Sequence, residues 1–253
     1  MQRIRRFTLA GTLTLVGALS IVGVTAFVLS RTAPAWWEPV DVESPATARR
    51  ADDLERAVGH QLTLVRDPAE SLLPVESWRS DDWTTSIQAE DANAWLNTNL
   101  RDWLASDPKL PNWPELVDSL RVRFGDGLIQ VGVMVERGDR ARYLSATIRP
   151  HVDVDGSLWL EATSVSIGRL GIPAAVMLDR AGDGLAELVP PELEPQTRSM
   201  LRLFRGAEPV PHPVIRLGDG RQVRLLEIVP RNGKLVVTCR TEVDDSDQAS
   251  RDD

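Results

Sequence analysis

Hydrophobic and polar positions follow three successive patterns along this chain. Phe7 to Leu29 is an uncharged, mostly apolar run of 23 residues, FTLAGTLTLVGALSIVGVTAFVL. As a helix it would measure about 34 Å, enough for a hydrocarbon core of about 30 Å. From Ser44 the period becomes helical. Ser44-Pro45 reads as an N-cap and first helical residue. Ala51, Leu54, Val58, Leu62 and Val65 then recur on one face, predicting a helix that ends near Arg66. A short strand at Trp83–Gln88 and a second helix at about 90–105 follow. The second helix carries Ala92, Trp95, Leu96, Leu100, Trp103 and Leu104 on one side. Asn93, Asn97 and Asn99 are poor helix formers, so packing must hold it.

Beyond residue 117 the period is two. Leu120, Val122 and Phe124 form one apolar face, and Gly125-Asp126-Gly127 supplies a turn. Ile129, Val131, Val133 and Val135 form the next face. Leu144, Ala146, Ile148, Val152 and Val154 form the third, and Leu158, Leu160 and Ala162 begin the fourth. Val165 and Ile167 fall on the opposite parity, which predicts a bulge near Thr163-Ser164. Further helices are expected at 174–188 and 196–205. Strands are expected at 214–217, 222–229 and 234–243, the last two joined at Arg231-Asn232-Gly233. The predicted fold is α+β: a long curved antiparallel β meander wrapped against amphipathic helices, preceded by one N-terminal transmembrane helix. The expected organisation is a cytoplasmic stub and anchor (1–30), a linker (31–43), an extracytoplasmic domain (44–243) and a disordered acidic tail (244–253).

Charge sets the orientation. Arg3, Arg5 and Arg6 precede the apolar run and only Arg31 closely follows it. The positive-inside rule then puts the N-terminus in the cytoplasm and the rest outside a single-pass cell-membrane protein. Trp36 and Trp37 fall where an interfacial anchor would sit. The alternative is a cleaved signal peptide, since Ala33-Pro34-Ala35 has the small-x-small form, with cleavage after Ala35. Residues 31–253 hold 26 bases against 37 acids, and such an acidic domain is a poor partner for nucleic acid. The single cysteine, Cys239, excludes an internal disulfide and a cysteine-based zinc site.

Candidate chemistry is sparse. His60, His151 and His212 lack ligand-pair spacing, so neither a metal nor any other cofactor is expected. His151 to Gly156 has the look of a calcium loop, but His151 stands where Asp should begin it and Ala162 where Glu should end it; a hairpin turn explains it. Arg137-Gly138-Asp139 matches an adhesion tripeptide, but between two strands it reads as ordinary turn chemistry. The chain has no G-x-S-x-G elbow, P-loop or G-x-G-x-x-G, and no catalytic residue is assigned. Asp52-Asp53 and Glu90-Asp91 read as helix-surface charges. The eight tryptophans are chiefly core and interface filling, with an apolar groove as the functional reading.

The order of parts carries a resemblance. A helix reading Gln88-Ala89-Glu90-Asp91-Ala92-Asn93-Ala94-Trp95-Leu96 precedes strands with Leu144-Ser145-Ala146-Thr147-Ile148-Arg149-Pro150 and Asp155-Gly156-Ser157-Leu158-Trp159-Leu160. Val165-Ser166-Ile167-Gly168-Arg169-Leu170-Gly171-Ile172-Pro173 closes the series. This resembles the YpmS-like membrane-anchored bacterial proteins and, more remotely, the LmeA-like and TULIP-type lipid-binding folds. The resemblance implies a curved sheet wrapped around a helix, with a groove for acyl chains. The expected function is non-catalytic binding of a lipid or other apolar ligand at the membrane, the candidate lining being Val131, Val133, Leu144, Ile148 and Leu160. The alternative is an envelope scaffold or interaction module with a filled core, meeting an unidentified protein partner through Trp83, Trp103 and Trp113.

Overall fold

The computed structural model describes residues 29–69, 78–106, 108, 112–137, 140–173 and 202–243. Within them the chain is mixed helix and sheet, with two antiparallel sheets. Helix α1 (Pro45–Thr63) begins as expected: the Ser44 hydroxyl accepts the Ala46 N–H at 3.3 Å. It ends three residues before Arg66 because its last carbonyls are taken by two arginines. Arg221 donates to Thr63 and Leu64 at 3.0 and 3.1 Å, and Arg66 to Gln61 at 3.0 Å. Cations there also face the negative end of the helix dipole. Val65, expected on the apolar face, is 80% exposed beyond this end.

Strand β1 (Trp83–Gln88) leads into α2 (Ala89–Thr98) and α3 (Leu100–Ser106). The single helix expected at 90–105 is therefore divided at Asn99, whose side-chain amide donates to Glu55 of α1 at 2.9 Å. The meander follows as β2 (Val117–Gly125), β3 (Leu128–Arg137), β4 (Arg140–Val152), β5 (Leu158–Ile167) and β6 (Leu170–Pro173), paired in that order. The expected bulge is present: Thr147 pairs with Ser164 and Ile148 with Ala162, leaving Thr163 as the extra residue. Strands β7 (Val214–Arg216), β8 (Arg221–Arg231) and β9 (Lys234–Val243) join β1 in a separate sheet of order β1-β9-β8-β7. Asp126-Gly127 and Asn232-Gly233 both have positive φ at each residue, the geometry of two-residue hairpin turns.

Helix α2 runs beside the outer edge of β2, held there by two asparagines. Asn93 receives the Val122 N–H at 2.7 Å and donates to the Val122 carbonyl at 2.9 Å. Asn97 does the same to Leu120, at 2.9 and 2.8 Å. Four helical residues rise about 6 Å and two strand residues about 6.7 Å, so asparagines at i and i+4 match alternate strand residues. The edge is thereby closed as another strand would close it.

The two sheets meet at the β2–β3 turn. Gly127 donates to Pro230 at 2.9 Å, Gly233 to Phe124 at 3.0 Å, and Ala89 to Gly233 at 2.9 Å. Strand β8 lies against β2, β3 and β4. Buried Phe124 and Ile148 lie toward this junction, and Val223, Pro230 and Thr241 are buried in the four-stranded sheet. The helix expected at 174–188, most of that at 196–205 and the tail at 244–253 lie outside the described residues.

Candidate functional site

The five candidate lining residues share one face of the five-stranded sheet. Val131 pairs with Ala146, Val133 with Leu144, Ile148 with Ile129 and Leu160 with Pro150. Leu120 and Val122 extend the same face on β2. The Thr163 bulge resets the parity of β5, so Val165 and Ile167 join it opposite Ala146 and Leu144. With Leu170 and Ile172 of β6 opposite Ile167 and Val165, the aliphatic surface is continuous across five strands.

Its two ends differ. Toward the sheet junction Ile148 is 6% exposed, while Ala162 lies under Phe204 and Val165. Away from it Leu144 is 41% exposed, with Val131 and Val133 half-buried. Burial therefore places Ile148 in the core and leaves Leu144 as the accessible candidate, with Val133 directly opposite it.

The reverse face carries the N-terminal segment. Trp36 and Trp37 lie over Gly132, where an added Cβ would come within 2.7 Å of Trp37 and 2.8 Å of Trp36. Trp37 also meets Tyr143 edge-on, with ring centroids 5.1 Å apart. Burial lowers the Arg121 pKa, and the Glu38 charge opposes that shift. The stretch expected to be a linker thus packs on the sheet. Upstream, the Arg169 backbone N–H donates to the Leu29 carbonyl at 2.8 Å and its Nε to the Ala33 carbonyl at 2.9 Å. Gly168, at φ +61°, permits this approach: a Cβ there would collide with the Leu29 carbonyl oxygen and come within 2.7 Å of the Ser30 carbonyl. Among the described residues no helix is long and apolar enough to cross a membrane, and Phe7–Val28 lies outside them.

The remaining candidates stand apart. His151 stacks on Trp159 at 6.3 Å, and His60 and His212 are exposed. Backbone hydrogen bonding from Ser157 holds the Asp155 carboxyl below its usual range, as a turn requires. Glu90 pairs with Arg50 across the α1–α2 contact, and Asp53 with Arg56 at 2.6 Å. Among the described residues no three His, Cys, Asp or Glu side chains could hold a metal together. Gly138 and Asp139 lie outside the described residues. Trp83 is half-buried beneath the Arg66 guanidinium, 3.8 Å from its ring centroid.

Two surface depressions are polar-edged. One of 410 Å³ is lined by residues that include Thr84, Ser86, Arg231 and Lys234. The other, of 280 Å³, lies among Leu96, Arg101, Trp113, Leu116 and Glu136. Neither includes the five aliphatic candidates. Sequence reasoning missed the two asparagines and the docking of residues 29–38. Gly132, set between two valines in a strand, was the available signal for the second. Compared with protein-family models, curated proteins and solved structures, the chain gives no match.

Proposed function

We propose that this chain is a single-pass, membrane-anchored protein that binds a lipid or another apolar ligand, without catalysis, in an extracytoplasmic domain. The observation that supports this most is the aliphatic face of the five-stranded sheet, half-open at Val131, Val133 and Leu144 while sealed at Ile148. Apolar ligands need such a surface and few polar contacts. The resemblance to the YpmS-like group favours the same reading. Retention of the anchor is favoured by Arg169, since cleavage after Ala35 would remove both carbonyls to which it is bonded.

The test is photo-crosslinking of the full chain in bacterial membranes fed a diazirine-bearing fatty acid, followed by peptide mapping. Adducts on residues 129–148 are expected, and Val133→Asp should abolish them while leaving those on Phe7–Leu29. Adducts confined to Phe7–Leu29 would sink the ligand-binding reading.

A second reading, an interaction module, is favoured by one specific patch. Trp103 is 49% and Leu116 55% exposed, on either side of the sequence that contributes Trp113 to the 280 Å³ depression. Exposed tryptophan beside leucine is a common protein-contact signature.

A further inference from the structure

We infer that the domain is clamped to its anchor, with the β5–β6 turn and the start of β4 held against an anionic phospholipid surface. The inference rests on the reading of Phe7–Leu29 as a membrane span and deepens it. Leu29 is the last residue of that apolar run. Its carbonyl, at the boundary of the hydrocarbon, accepts the Arg169 N–H at 2.8 Å, so the β5–β6 turn stands at the same depth. Gly168 in turn donates to the Tyr143 carbonyl at 2.7 Å, which brings the start of β4 to the same level. The following residues leave no slack. Ala33 is held by Arg169, and Trp36 and Trp37 are seated on Gly132 and Tyr143.

Charge is arranged accordingly. Arg31, Arg142 and Arg169 are exposed at this end, whereas Asp126, Asp153 and Asp155 are exposed at the opposite end of the sheet. Among the described residues the exposed acids at the near end are Asp118 on β2, Glu136 on β3 and Glu115 just before β2, all on the side of the sheet farthest from Leu29. Basic side chains close to the bilayer are attracted to anionic headgroups, and that attraction fades within a Debye length. The acidic end is therefore best placed away from the membrane. The geometry also has a functional consequence. Leu144 pairs with Ile167, next to Gly168, so the open end of the aliphatic face is the end at the bilayer. An acyl chain would reach it without crossing water.

The test uses the full chain carrying Cys239→Ala and one new cysteine, either Gly171→Cys beside the clamp or Val154→Cys at the far end, labelled with a small fluorophore. Each protein is inserted in phosphatidylcholine–phosphatidylglycerol vesicles that contain a headgroup-attached nitroxide lipid. The label at 171 is expected to be quenched several-fold more than that at 154. Equal quenching in protein that floats with the vesicles after alkaline washing overturns the clamp and leaves the anchor standing. Protein that washes off overturns the anchor reading and the clamp with it. Gly168→Val forces a side chain into the Leu29 and Ser30 carbonyls and should abolish the difference between the two labels. Arg169→Ala removes one bond and one charge without disturbing the turn, and should weaken quenching at 171. Unchanged quenching in both variants would overturn the proposal.

Discussion

The two sheets are built from strands of similar length and aliphatic content, yet they are finished differently. The four-stranded sheet is sealed where β8 and β9 pair, while Ile215 on its edge strand β7 is 52% exposed. Val223 is 2% exposed, Cys239 7% and Thr241 not at all, and Arg66 and Arg221 tie the end of α1 to this region. The aliphatic face of the five-stranded sheet is sealed toward the junction, at Phe124 and Ile148, and open at Leu144. Since strands of both sheets have the same alternating pattern, alternation does not decide burial. What decides it is what each part of a face meets: the sheet junction at Phe124 and Ile148, and Ser80, Trp83 and Arg66 around Thr241 and Cys239.

That contrast can be broken most directly by truncating one residue at each end of the same face. Phe124→Ala leaves a cavity at the junction, and fully buried Phe→Ala changes cost about 3–5 kcal/mol. Leu144→Ala removes side-chain area that is already partly wet and should cost about 1 kcal/mol or less. Denaturant titration of each variant measures the difference. Equal costs would mean that the Leu144 end is packed as tightly as the junction, and the open-face reading would fail.

A smaller effect is expected at the edge of β2. Asn93→Ala leaves the N–H and carbonyl of Val122 without partners, and Asn97→Ala does the same to Leu120. Each should cost about 1–3 kcal/mol, the range for leaving buried polar groups unpaired. Asn→Asp keeps the acceptor and loses the donor, so it should be destabilising too. Amide exchange at Leu120 and Val122 should accelerate ahead of that at Val223, which sharpens the difference between the two sheets. Exchange that speeds up uniformly would show that α2 does not protect this edge locally.

The asparagines also show where sequence reading stops. Strand positions β2 to β5, three hairpin turns and the Thr163 bulge are legible because each rests on a local signal: period two, Asp-Gly or Asn-Gly pairs, and a change of parity. The pairing of β1 with β9 is not legible, because Trp83 and its partner Cys239 are separated by most of the chain. Asn93 and Asn97 read locally as weak helix formers; only the strand beside them turns the same amides into edge-closing groups. Likewise the candidate lining residues share one face, but alternation could not separate buried Ile148 from exposed Leu144. The packing of Trp36 and Trp37 was hidden because residues 31–43 have no periodicity to read.

The smallest expected effect is a thiol comparison between the sheets. Burial pushes the Cys239 thiol up from its ordinary 9.0 to about 11, with the nearby Arg66 charge working against that shift. The folded chain therefore holds its proton between those values while the unfolded chain has lost it. The neutral thiol's contribution to stability is fully present below pH 9.0 and is lost as pH rises toward about 11. Alkylation of Cys239 at pH 8 should be slow, because the thiolate is the reacting species. A second thiol introduced as Leu144→Cys, in a chain carrying Cys239→Ala, should react at the rate of an ordinary exposed cysteine. Were the two thiols to react alike, the Cys239 region could not be called sealed and the Leu144 end open; a large ratio would show that the open end of the face is already accessible in the folded state, without local unfolding, as a ligand would require.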